Sequence, residues 1–251
     1  MIVIAPLRTA RLEVRLRELS IGDEIALCHM LDGQHEKALS EFLRRAVEHA
    51  EALSERHVTD PRAWTIGERY LALAHYNLHA REDGPDYPIT ESTKLSDYLD
   101  RARESHEPIM FEALDDNWVF RPATGAALEA LETMQIGAAI TGRTFWLFGL
   151  MAMQLLRAGE EMPDPVSENA DYTTWLARRI DIMRALPGSD MEKLYAPFRE
   201  ANEQATLFFR VWFDDEGVIV MPKEAQAATP AARFLVHSGF SELALALSGK
   251  S

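Results

Sequence analysis

From Arg11 to Leu19 the chain alternates, with Leu12, Val14 and Leu16 set between Arg11, Glu13, Arg15 and Arg17. A period of two marks a strand that buries one face, and the short apolar run Ile2 to Ile4 is the candidate to pair beside it. Ser20 then stands where an N-cap belongs. Asp23 and Glu24 occupy the first turn, where the helix dipole favours negative charge, so a helix is predicted over Ile21 to Leu31. The period next changes to that of a helix: Leu39, Phe42, Leu43, Val47 and Ala50 recur against Glu36, Lys37, Arg44, Arg45 and Glu48. This predicts an amphipathic helix from His35 to His57, stopped by Asp60-Pro61.

Thr65-Ile66-Gly67-Glu68 has the spacing of a capping box and opens a third helix carrying Tyr70, Leu71, Leu73, Ala74 and Leu78. Asp83-Gly84-Pro85-Asp86-Tyr87-Pro88 is turn chemistry that no helix continues through. Lys94 to Glu104 is predicted as a short helix, and the strands IMFEAL and NWVF as a hairpin about Asp115-Asp116. Helices are expected over Gly125 to Gln135 and Thr141 to Ala158, then over Tyr172 to Leu186 and Met191 to Gln204 with Pro197 inside. LFFRVWF and VIVMP flank Asp214-Asp215-Glu216-Gly217 as a second hairpin, and a last short helix starts at Ser241. The resulting fold class is α+β, predominantly α-helical, with an N-terminal β element and two β-hairpins. Gly159 to Asn169, with two prolines and little apolar content, is the expected boundary between an N-terminal part, 1–158, and a C-terminal part, 170–251.

Composition narrows the class. At 251 residues and 47% hydrophobic content the chain can bury a large core. Acidic residues outnumber basic ones 40 to 26, a formal charge of −14, which opposes affinity for nucleic acid because that affinity comes mostly from neutralising phosphates. Cys28 is the only cysteine, so neither an intrachain disulfide nor a thiolate metal cluster is available, as expected of a protein made in a reducing cytoplasm. The N-terminus has too short an apolar run for a signal peptide. Phe145 to Met153 is well short of the roughly 20 residues that span a bilayer.

Chemistry-bearing residues concentrate between Asp60 and Pro88. His75 and His79, four apart, share a helix face, and Glu68 lies seven before His75 on about the same stripe. Two metal ligands and a third are conceivable there, although the H-E-x-x-H pattern of zinc hydrolases is missing. The structural alternative makes Glu68 a capping residue and the histidines interface packing, and the expected metal, cofactor and catalytic sets are none. Asp115-Asp116 and Asp214-Asp215-Glu216 are turn residues by the same weighing. Cys28 and His29 diverge on a helix and form no nucleophile–base pair. LFFRVWF is apolar on both faces and should be covered on both, and a second subunit is a candidate for one cover.

The strand RLEVRLREL running straight into SIGDEIAL, followed by a helix opened by WTIGER and closed by DGPDYP, resembles the layout of baseplate and hub proteins of tailed bacteriophages. The resemblance covers Arg11 to Pro88. It implies a non-enzymatic structural component of the tail (baseplate, hub or tail tip), made in the host cytoplasm and then carried in the virion tail. Its implied partners are other tail or baseplate proteins and copies of itself, with neither nucleic acid nor membrane insertion. It supplies assembly surfaces and no catalytic residue. The alternatives are a tail-assembly chaperone absent from the mature particle and a metal-dependent hydrolase using Glu68, His75 and His79.

Overall fold

The alternation at the start of the chain becomes a hairpin of β1 (Leu7–Arg8) and β2 (Leu12–Leu16), with Leu12, Val14 and Leu16 buried. This computed structural model describes residues 2–30, 32–53, 59–80, 84–103, 108–135, 138–224 and 228–250. Leu7 pairs with Val14 and Arg8 with Glu13, so the strand beside β2 is Leu7–Arg8 and not Ile2 to Ile4. A tight turn sets this register: the Thr9 hydroxyl accepts from the Leu12 amide, and the Thr9 amide donates to the Leu12 carbonyl. α1 (Ile21–Cys28) starts as expected, with the Ser20 hydroxyl and the Asp23 carboxylate satisfying each other's amides. It ends at Cys28; Leu31 lies outside the described residues.

The helix expected from His35 to His57 is shorter. α2 spans His35–Ala46, and the chain turns at Val47 into β3 (Val47–Ala52), antiparallel to β2; residues 54–57 lie outside the described residues. The reason is tertiary. β2 offers unpaired amides and carbonyls on the side away from β1, and a strand that meets them satisfies both partners. VEHAEA opens with a β-branched valine and contributes little apolar surface to a helix face, so pairing overrides the continued helical period.

A 3-10 turn at Pro61–Ala63 leads into α3 (Ile66–Ala80), the helix on which the molecule is centred, with ten buried residues between Gly67 and Asn77. Where a helix was expected from Lys94, the structure has a small hairpin of β4 (Pro88–Thr90) and β5 (Thr93–Lys94) and one 3-10 turn at Leu95–Asp97. That single turn already buries Leu95 and Tyr98, the segment's main apolar anchors, so a longer helix has nothing left to bury. Residues 104–107 lie outside the described residues.

β6 (Ile109–Ala113) and β7 (Asp116–Phe120) form the expected hairpin, and Leu114 and Asp115 at its tip hold positive φ, 55° and 57°, as a two-residue hairpin turn requires. α4 (Gly125–Gln135) and α5 (Gly142–Gln154) follow. α5 stops short of Ala158 because Leu155–Arg157 becomes β8, paired to the free side of β7; an edge strand again captures a helix end. α6 (Asn169–Ala185) and α7 (Gly188–Gln204, with Pro197 inside) are separated by Leu186-Pro187. The second hairpin is β9 (Arg210–Phe213) with β10 (Val218–Met221), and α8 (Glu242–Ser248) is capped by Ser241.

The fold is α+β, mainly helical with small antiparallel sheets. One core runs from Leu7 to Phe240 and takes Leu128, Trp146 and Met151 from before the 159–169 segment and Tyr172, Leu176 and Phe198 from after it. Much of the LFFRVWF segment is covered from within the chain: Phe209 meets Tyr70 and Phe234 edge-on, and Trp212 lies against Phe198, while Val211 and Trp212 stay partly exposed. Among the described residues no helix is long and apolar enough to cross a membrane.

Candidate functional site

Charged groups converge where α2, α3 and α4 meet. Arg69, fully buried on α3, donates through Nη1 to Glu36 Oε2 (3.2 Å), and through Nη2 to the Glu36 carbonyl (2.9 Å) and the Ser40 hydroxyl (2.7 Å). Ser40 in turn donates to Glu129 on α4, and Glu129 is approached by Arg62 at 3.4 Å. One turn further along α4, Glu132 accepts from the amides of Glu36 (2.9 Å) and Lys37 (3.1 Å). Gln34 offers no side-chain cap to α2, so Glu132 caps that helix from across the interface, where both the free amides and the dipole favour a carboxylate. Gly125 completes the enclosure: a Cβ there would overlap the Arg69 guanidinium.

Glu36 and Glu132 are both buried, Glu36 in an ion pair with the fully buried Arg69. Burial pushes the Glu36 carboxyl above its ordinary range, against the attraction of Arg69. Glu132 is pushed up to about 7, first by burial and then by the neighbouring Glu36, against the two amides it accepts from. A carboxyl at that value can hold or release a proton near neutrality. Here its oxygens are committed to backbone amides, so the arrangement fixes α2 against α4 and presents no reacting partner. Ser40 and Glu129 also border an open groove of about 950 Å³ between α2 and β3. The arginines along it are already paired: Arg44 with Glu41, Arg45 with Glu41 and Asp23, and Arg62 with Glu129.

Of the residues singled out on α3, His75 and His79 are brought together and Glu68 is held apart from them. Glu68 closes the capping box, its Oε2 3.0 Å from both the Thr65 amide and hydroxyl, and it also holds Arg11 through two bonds of 2.9 and 2.5 Å. It thereby ties β2 to the start of α3. Seven residues on, about 10 Å along the axis, His75 Nε2 lies 2.7 Å from the Ala5 carbonyl, and His79 accepts from the Ala5 amide at 3.4 Å. The two rings meet edge-on at 4.6 Å. Among the described residues no group of three His, Cys, Asp or Glu side chains is arranged to hold a metal ion.

The other acidic candidates serve turns. Asp116 pairs with Arg157. Asp214 accepts from the Glu216 and Gly217 amides and from Arg233, and Asp215 accepts from the Arg143 amide. Asp86 anchors Ser96, and Asp83 lies outside the described residues. Cys28 is buried, while His29 bonds its own helix at the Ile25 carbonyl.

Sequence reasoning missed Arg69 and Glu132. The available signal was a charge on an otherwise apolar helix face: Arg69 falls between Ile66, Tyr70 and Leu73, and Glu132 between Leu128 and Leu131. Compared with known proteins, the chain matches no family model, no curated protein and no solved structure.

Proposed function

We propose that the chain is a non-enzymatic structural component of a bacteriophage tail, in the baseplate, hub or tail tip, acting through protein–protein interfaces. The observation that carries the non-enzymatic part is the use made of the chemistry-bearing residues on α3. Glu68, Arg69, His75 and His79 are each spent holding another part of the chain: β2, α2 and the segment at Ala5. A rigid body tied in this way suits a subunit whose surfaces are its function. α8 supplies such a surface, with Leu243 and Leu247 about three-fifths exposed one turn apart. The tail setting rests on the resemblance carried by Arg11 to Pro88.

Mass spectrometry of purified particles of the virus encoding the chain tests the proposal, with its detection at a fixed ratio to known tail proteins as the expected result. Its presence in infected cells and absence from particles would replace this reading with the assembly chaperone.

A further inference from the structure

We infer that the cavity between β2, the start of α4 and the start of α6 is a binding site for a small organic acid, a single carboxylate carried on an apolar body. The cavity has a volume of about 340 Å³ and is partly open to solvent, within the range of pockets that enclose small ligands. Met153, Met162, Val166 and Pro122 give it apolar walls, and its polar groups are few.

Two hydroxyls bordering it are buried without a hydrogen-bond partner, those of Tyr172 and Thr124. The Tyr172 side chain is fully buried. A hydroxyl withdrawn from water without a partner is costly unless something in the cavity supplies one. Thr124 stands at the N-cap position of α4, its carbonyl accepting from the Leu128 amide, yet its hydroxyl caps nothing. That helix has no acidic residue in its first turn; its Gly125 amide already donates to the Trp64 carbonyl, but Thr124 and Ala127 of the same turn line the cavity, where the positive end of a helix favours an anion.

Two cations and one carboxylate border the cavity. Arg11 uses Nε and Nη2 on Glu68, leaving Nη1 outside that pair, and Arg121 stands exposed at the rim. Among the described residues the one carboxylate lining the cavity, Asp164, is turned into its own loop, accepting from the Val166 amide and the Ser167 hydroxyl. A carboxylate entering beside Thr124 thus finds a helix N-terminus and a cation at hand, and a small rotation of the Thr124 and Tyr172 side chains would bring their unpartnered hydroxyls to it, while its apolar tail lies along the methionines.

Calorimetric titration of the full chain with sodium hexanoate, with hexan-1-ol as the neutral control, tests this. The expected result is saturable binding of hexanoate in the millimolar range or tighter, and binding of hexan-1-ol at least about tenfold weaker. Tyr172→Phe and Thr124→Val should each weaken hexanoate about five- to tenfold. Neither should lower the Tm of the unliganded protein, because neither hydroxyl has a protein partner to lose. Absence of hexanoate binding, equal binding of the alcohol, wild-type affinity in both variants, or a Tm lowered by Tyr172→Phe would each overturn the inference.

Discussion

The two ends of α3 hold the same kind of material and use it differently. At the N-terminal end Glu68 and Arg69 are almost completely buried, and each is fixed by partners from other elements. At the C-terminal end His75 and His79 are half-buried, and among the described residues their long-range tie is to the backbone of Ala5. Burial raises the energetic stakes of a polar group, because losing one partner strands the other away from water. The half-exposed end has water as a substitute partner. The two histidines that look most chemical in the sequence therefore lie at the end expected to matter less to stability.

The largest expected effect comes from breaking the buried end. Arg69→Met keeps much of the side-chain volume but leaves Glu36 without its cation beside a second buried carboxyl, Glu132. Removing one member of a buried ion pair costs about 3–5 kcal/mol, so urea denaturation should show a loss of that order, a large share of the stability of an ordinary domain. A loss below about 1 kcal/mol would mean that Glu36 takes up a proton or reaches water readily, and the contrast between the two ends would collapse.

A second, smaller effect follows from the direction of the pKa shifts. Glu132 has its ordinary value of 4.5 raised to about 7 in the folded protein, and Glu36 shifts the same way. Between those values the native state holds a proton that the unfolded chain has released. Stability from this group is present below about pH 4.5 and is lost as pH rises through about 7. The displacement corresponds to at most about 3 kcal/mol at 1.36 kcal/mol per unit. His75, held below 6.5 chiefly by burial, acts oppositely: the unfolded chain protonates first, and stability falls as pH drops below 6.5. Glu132→Gln should consequently flatten the decline in Tm between pH 5.5 and 8. Curves for variant and wild type that run parallel would show that Glu132 is ionised throughout.

How much of this was legible depends on whether the signal was local. The Ser20 and Thr65 caps, the turn at Asp115 and the hairpin around Asp214 are set by residues within four positions of one another, and each lies where the sequence places it. The switches at Val47 and Leu155 were not legible, because in both cases a strand elsewhere, β2 or β7, captures residues whose own pattern continues a helix. The charged cluster where α2, α3 and α4 meet was hidden for the same reason. Glu132 caps a helix nearly a hundred positions earlier in the chain, and no spacing rule links it to Glu36. The histidine spacing at 75 and 79 was read correctly as one face, but Glu68 was already claimed by Thr65 and by Arg11, whose partnership is also long-range.

The smallest effect should come from the other end of α3. His75→Gln removes the ring that meets the Ala5 carbonyl and leaves a side chain able to donate there in part. The bond is partly exposed, so the loss should be about 0.5–1 kcal/mol, well under that of Arg69→Met. The pH profile gives the sharper reading, since the variant lacks the group whose protonation the fold resists. Relative to the wild type its Tm should gain as pH is lowered from 7 to 5.5, the opposite sense to the change in Glu132→Gln, whose Tm loses relative to the wild type over the same step. The same variant tests the hydrolase alternative, in which His75 and His79 need a third ligand that Glu68, two turns away and bound to Arg11, is not placed to supply. Stoichiometric Zn²⁺ should leave the Tm of both proteins unchanged. A rise of several degrees in the wild type that disappears in His75→Gln would make the exposed end of α3 the functional one.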